Sequence, residues 1–188
     1  MRLKQTVDKQ INPELAKKHS VPILALPRME KVTLNVGVGP FKENKESLGV
    51  VEKQFAEIAG QKPKATTAKI SISGFKVRKD QHIGYAVTLR GKRMWDFIER
   101  LNSVVLPRQR DFEGIPEKSF DKNGNFTLGV REQVAFPEIK SDEVRESFGM
   151  SITFTIKNTN NRELLKEYLK NIGFILKSDP NLEKESNG

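Results

Sequence analysis

An α+β fold is what this sequence predicts, with a sheet that carries helices on one face and polar, basic side chains on the other. Three observations lead there. Lys31-Val32-Thr33-Leu34-Asn35-Val36 alternates polar and apolar residues, the two-residue period of a half-buried strand. Leu48, Val51, Phe55 and Ile58 recur at spacings of three, four and three, the stripe of an amphipathic helix. Strands and helices then mix without regular βαβ spacing, which argues against a parallel α/β sheet.

Taken in order, Arg2–Lys18 reads as a first helix, interrupted at Asn12-Pro13, where Asn caps and Pro opens a second segment. Val21–Pro27 holds two prolines and is a connector. In the strand that follows, Val32, Leu34 and Val36 face the core, and Lys31, Thr33 and Asn35 lie on the opposite face. Gly37-Val38-Gly39-Pro40 ends it, and Gly60 stops the Leu48–Ile58 helix. Lys64–Ile72 reads as strand and loop, Gly84–Arg90 as a further strand. Met94, Ile98, Leu101 and Val105 make another helical stripe, closed by Pro107. Arg108–Asn125 is polar and without periodicity. Phe126, Leu128 and Val130 alternate, as do Ile152, Phe154 and Ile156; Arg162–Ile172 is a closing helix stopped by Gly173. With no internal repeat and no firm boundary, residues 1–177 read as one domain, and 178–188 as a flexible polar tail.

Hydrophobic residues make up 36% and charged residues 30%, which indicates a thin core with much surface given to polar contacts. No run is long and apolar enough for a membrane span. The opening Met1-Arg2-Leu3-Lys4-Gln5 leads into a polar helix rather than an apolar signal core. The absence of cysteine excludes disulfides and thiolate metal sites and fits a reducing compartment. The chain reads as cytoplasmic.

The formal net charge of +9 is unevenly placed. Residues 1–110 hold 22 Lys/Arg against 10 Asp/Glu, a balance of +12; residues 111–188 hold 11 against 14, a balance of −3. Between Lys62 and Arg93 stand Lys62, Lys64, Lys69, Lys76, Arg78, Lys79, Arg90, Lys92 and Arg93, with Asp80 the single acid. Each base that neutralises a phosphate releases a condensed counterion, so regional clustering of this kind favours nucleic acid over a generally solvated surface.

Catalytic patterns are thin. Gly37-Val38-Gly39 lacks the third glycine of a dinucleotide fingerprint, because position 42 is Lys42. Around Gly91-Lys92, a Walker loop would need glycine at Ala86 and a hydroxyl at Arg93. His19 and His82 are isolated among polar residues, and no metal or cofactor is expected. Asp111, Glu113, Glu117 and Asp121 leave one rival open, a Mg²⁺-dependent RNA-processing enzyme. A solvated acidic loop is the favoured explanation of them, and nothing in the sequence argues for catalysis.

Ordered blocks of sequence also resemble one family. They are Lys31–Gly39, Ala59-Gly60-Gln61-Lys62-Pro63, Ala68-Lys69, Phe75-Lys76-Val77-Arg78, Ile83–Gly91, Leu106–Phe112, Ser119–Phe126, Glu132–Glu138 and Gly149-Met150-Ser151-Ile152. Running in order from about Pro27 to Gly173, they resemble the bacterial-type large-subunit ribosomal protein that is fifth in the conventional series and binds 5S rRNA.

The resemblance implies a concave, largely antiparallel sheet backed by helices and seated on 5S rRNA in the central protuberance. It assigns 5S rRNA contacts to Lys31, Asn35, Gln61 and Thr88, to which the basic cluster adds phosphate contacts expected at Lys62, Lys64, Lys69, Arg90 and Arg93. Lys31 can neutralise a phosphate, and the amides and hydroxyl can bond base edges or 2′-hydroxyls. Turn or cap chemistry is the alternative for Asn35 and Gln61, and ordinary strand preference for Thr88. The loop Phe75–Ile83 is implied to reach P-site tRNA through Lys76, Arg78 and Lys79, although Asp80 and His82 replace the usual Gly and Pro. Glu138, Asp142, Glu143 and Glu146 are implied to meet a small-subunit head protein across an intersubunit bridge. Large-subunit rRNA and neighbouring large-subunit proteins complete the implied partners, with no membrane among them.

Overall fold

A computed structural model describes residues 2–177 apart from 42–43, 76, 110–111, 141–143, 145 and 160. Lys76, Asp111, Asp142, Glu143 and the tail from Ser178 therefore lie outside the described residues. The α+β architecture is as expected: a five-stranded antiparallel sheet with strand order β2-β3-β1-β5-β4. In chain order come helices α1 (Arg2–Thr6) and α2 (Asn12–His19), strand β1 (Arg28–Gly37), helix α3 (Lys45–Ala59), and strands β2 (Lys64–Thr67) and β3 (His82–Leu89). Helices α4 (Gly91–Arg100) and α5 (Leu106–Arg108), strands β4 (Phe126–Val130) and β5 (Met150–Lys157), and helix α6 (Arg162–Ile172) follow.

Two compact units lie within the stretch read as one domain. The first comprises residues 2–31, 90–128 and 153–177, the second 32–89 and 129–152. In the second, β1 pairs antiparallel with β3, Val32 opposite Leu89 through Gly37 opposite Gly84. Val32, Leu34 and Val36 are buried together with Tyr85, Val87 and Leu89, as the alternation required. Helix α3 contributes Val51, Phe55 and Ile58 to this core, and the Tyr85 hydroxyl reaches it at Leu48 O (3.4 Å) and Glu52 Oε2 (3.3 Å). Burial, then the neighbouring Glu52 carboxylate, raises the Tyr85 pKa.

Helix α3 is bounded by side-chain chemistry legible in the sequence. Asn44 Oδ1 accepts hydrogen bonds from the main-chain N–H of Glu46 (3.0 Å) and Ser47 (3.3 Å), and Gly60 closes the helix at φ +63°. The same device recurs on α6, with Asn161 Oδ1 accepting from Glu163 and Leu164 and Gly173 at φ +102°.

The break expected at Asn12-Pro13 does not occur. Asn12 is helical (φ −62°, ψ −45°), and a π-helical turn, Val7–Ile11, carries the chain from α1 into α2. A second π turn, Leu101–Val105, precedes Leu106-Pro107. Proline lacks the N–H that would bond four residues back, and its ring crowds that carbonyl. A wider turn just ahead of each proline accommodates both problems without ending the helix.

In the first unit, Phe126 stacks on Phe154 at 4.4 Å and Phe174 meets both rings edge-on. The aperiodic stretch before β4 is held by specific bonds. Asp121 Oδ1 accepts from the main-chain N–H of Asn123 and Asn125, both at 2.8 Å, and Oδ2 from Asn125 Nδ2. Ile115 N donates to Ile175 O (2.8 Å), and Lys177 N donates to Ile115 O (3.0 Å).

Candidate RNA interface

The sheet face opposite the core is built by strand alternation. On β1, Lys31, Thr33 and Asn35 occupy it, half-buried, half-buried and exposed in turn. On β3, Ala86 and Thr88 share it, with Thr88 exposed. Register fixes what lies beside what. Thr33 stands opposite Thr88, Asn35 opposite Ala86, and Ala86 in turn opposite Lys64 of β2. A row Asn35–Ala86–Lys64 thus crosses three strands, with an amide at one end, an ammonium at the other and a single methyl between. The next row holds Gly37, Gly84 and Thr66. None of these positions carries a carboxylate.

Of the residues singled out in the sequence, Lys31, Asn35, Lys64 and Thr88 share this face. Gln61 does not lie on a strand. It follows the left-handed Gly60 at the end of α3, half-buried, with exposed Lys62 beside it in the turn before β2. Lys69 is exposed on the segment leaving β2. Arg90 is less available than its sequence suggests: its guanidinium lies 3.4 Å from Glu30 Oε1, which Lys157 also approaches at 3.6 Å. Arg93 is exposed in the first turn of α4.

The segment between β2 and β3 folds back on itself as an arm. Ile72 and Val77 exchange main-chain hydrogen bonds (2.9 and 3.2 Å), and Ala68 pairs with Gln81 and Asp80 (2.9 Å each). Lys79 N donates to Ser71 Oγ (2.8 Å) and Arg78 N to Gln81 Oε1 (3.0 Å). Asp80 sits at φ +65°, the left-handed region that glycine enters most easily. Asp at this position therefore meets the backbone demand that a glycine would meet. His82 Nε2 lies 2.9 Å from Gly84 O, and its ring stands edge-on to Tyr85 at 4.5 Å. The arm exposes Arg78 and Lys79 together with Ile70 (73%), Ile72 (49%) and Phe75 (74%). These apolar residues were not singled out in the sequence, where the alternation of Ile70 and Ile72 looks like that of a buried strand.

The acidic residues of the second half divide. Glu146, half-buried, accepts a hydrogen bond on Oε1 from Ser47 Oγ (3.0 Å). Its main chain is gripped by Gln133, whose Nε2 donates to Glu146 O (2.6 Å) and whose Oε1 accepts from Phe148 N (2.9 Å). Gln133 has no exposed surface, and no sequence periodicity marks it. Glu138 is half-buried. Of the carboxylates considered for Mg²⁺, the three among the described residues are engaged one by one: Glu113 with Lys177, Glu117 with Lys166, and Asp121 within its own turn. The Lys177 ammonium holds the Glu113 pKa below its ordinary value. Burial pushes Asp121 up, but hydrogen bonds from Asn125 and Asn123 outweigh it and leave the pKa lowered. Among the described residues, no three carboxylate or imidazole groups are placed to hold a metal ion, and no helix is long and apolar enough to cross a membrane.

Two family models match the chain in succession, ribosomal protein L5 over residues 23–78 and the C-terminus of the same ribosomal protein family over residues 82–175. The chain belongs to the ribosomal L5 family. It is 45% identical over 173 residues to the large ribosomal subunit protein uL5 of Streptococcus pyogenes serotype M5 (strain Manfredo), covering 92% of this chain and 96% of the relative. The same figures hold for the uL5 proteins of Streptococcus equi subsp. zooepidemicus (strain MGCS10565) and Streptococcus equi subsp. equi (strain 4047). Membership makes the chain a structural ribosomal protein rather than an enzyme, working in the ribosome of the bacterial cytoplasm. The RNA-processing alternative fails on that ground. The two matched segments meet at the arm, between Arg78 and His82, and both halves of the polar sheet face fall inside them.

Proposed function

We propose that this chain is a constituent of the large ribosomal subunit that binds 5S rRNA through the polar face of β1 and β3 and attaches it in the central protuberance. The observation that carries the reading is the row Asn35–Ala86–Lys64 beside the Thr33–Thr88 pair. It offers amide, hydroxyl and ammonium groups on sheet positions that carry no carboxylate. Affinity then comes from phosphate neutralisation by Lys31, Lys62, Lys64, Lys69 and Arg93, with a smaller share from Arg90 because of Glu30. Selectivity comes from Asn35, Thr88 and Gln61 bonding to base edges and 2′-hydroxyls of a folded RNA.

The arm is read as a separate contact with P-site tRNA. Arg78 and Lys79, together with Lys76, supply charge, and the left-handed Asp80 keeps the turn. The acidic side, Glu138 with Asp142 and Glu143, is read as meeting a basic small-subunit head protein across the intersubunit bridge. Glu146 serves that surface indirectly, because Ser47 already engages its carboxylate. Large-subunit rRNA and neighbouring large-subunit proteins are the remaining partners.

Titration of purified protein against 5S rRNA, with an unrelated structured RNA of equal length as control, tests the reading. Tighter binding to 5S rRNA that survives physiological salt is expected. Equal affinity for both RNAs would sink it.

A further inference from the structure

We infer that Gly37 is a specificity-determining residue of the RNA face, its missing side chain leaving bare main chain on which a ribose–phosphate backbone can lie. This rests on the 5S rRNA reading above. Most described glycines are accounted for by the fold. Gly60, Gly91, Gly114, Gly124 and Gly173 take positive φ, and a side chain on Gly84 would meet Val36 O at 2.6 Å. Gly37 differs. Its φ lies outside the left-handed region and a Cβ there would meet nothing within 4 Å, so neither backbone conformation nor packing requires glycine.

Glycine also weakens a strand, since it adds chain entropy to the unfolded state and gives neighbours nothing to pack against. Gly37 closes β1, and a strand glycine that packing does not require often marks close approach of another group. Position supplies that group. Gly37 is exposed on the same face as Asn35, two residues along β1, and stands directly opposite Gly84. Along the β1–β3 pair the side chains shrink from Thr33 and Thr88, through Asn35 and Ala86, to Gly37 and Gly84. The result is a step down to main chain, flanked by the Asn35 amide and the Thr66 hydroxyl, with the Lys64 ammonium one row away. A sugar edge fits against bare backbone, while the amide reaches a 2′-hydroxyl and the ammonium a phosphate.

The test pairs RNA binding with thermal stability in the full-length protein. Gly37→Val should melt at or above the wild-type temperature, because its space is open and valine suits a strand, yet bind 5S rRNA about tenfold or more weakly. Gly37→Ala should fall between. Gly49→Ala, on the exposed side of α3 where a Cβ also meets nothing, should raise the melting temperature and leave RNA binding unchanged. Wild-type affinity in Gly37→Val overturns the inference, as does a melting temperature lowered in both Gly37 variants, which would make the residue structural. If wild-type protein shows no preference for 5S rRNA, the RNA reading fails and this inference with it.

Discussion

Gln133 clamps the main chain of Glu146: one buried amide donates to Glu146 O and accepts from Phe148 N two residues further on. Replacing Gln133 by Ala leaves a carbonyl and a buried N–H without partners, each a desolvated polar group with no compensation. The expected loss of stability is about 2–4 kcal/mol, read from chemical denaturation with an unchanged slope. Gln133→Glu keeps the acceptor for Phe148 N and loses the donor to Glu146 O, so its loss should be different from that of Ala. A stability within about 0.5 kcal/mol of wild type for Gln133→Ala would show that the clamp is dispensable.

Asn35→Ala combined with Gln61→Ala should weaken 5S rRNA binding more than tenfold, through about 1–3 kcal/mol of lost polar contact. Asn35 is exposed on an ordered strand, so the fold should survive, and circular dichroism provides that check. Unchanged affinity would mean that the polar face is not the one that meets RNA.

Neutralising Lys62, Lys64 and Lys69 removes charge without touching the core, since all three are exposed. Each that contacts a phosphate contributes to the slope of log affinity against log salt, by about 0.7–0.9 per contact. The triple Lys→Gln variant should therefore bind with a visibly shallower salt dependence, whatever the RNA sequence. A slope equal to wild type would place these lysines away from phosphate.

Tyr168 is almost fully buried. Burial pushes its pKa up to about 12 from an ordinary value of 10.0, partly opposed by a hydrogen bond from the Met29 main chain. A group whose pKa is raised by folding stabilises the fold fully below its unfolded value, and loses that contribution as pH climbs through the folded one. Stability should accordingly decline between about pH 10 and pH 12. Tyr168→Phe should flatten that limb relative to wild type in urea melts of the free protein. An identical alkaline decline in the variant would assign it to other groups.

The sequence made β1, α3, α6 and the polar strand face readable because each depends on short-range periodicity or a cap. Lys31, Thr33 and Asn35 had to share a face once Val32, Leu34 and Val36 were buried. Other features depend on partners far along the chain. The row Asn35–Ala86–Lys64 needs the register of three strands, which no single stretch encodes. Gln133 sits in an aperiodic segment, and its partners are known only once Glu146 and Phe148 are folded beside it. Pro13 misled because proline ends most helices, and only the wide turn Val7–Ile11 allows the helix to continue. Ile70 and Ile72 lie in the stretch read as strand and loop, and their exposure was not legible because exposed alternation looks the same as buried alternation in a sequence.

Strand β2 has a neighbour on one side only, being the last strand in the order that runs through β3 to β4. It is four residues long, largely exposed, opens on Lys64 and shifts register between Thr66 and Thr67. A free strand edge invites a second chain to add to the sheet, and a short, charged, irregular edge discourages it. Lys64, which opens that edge, thereby discourages one copy of the chain from adding its own strand to another's sheet.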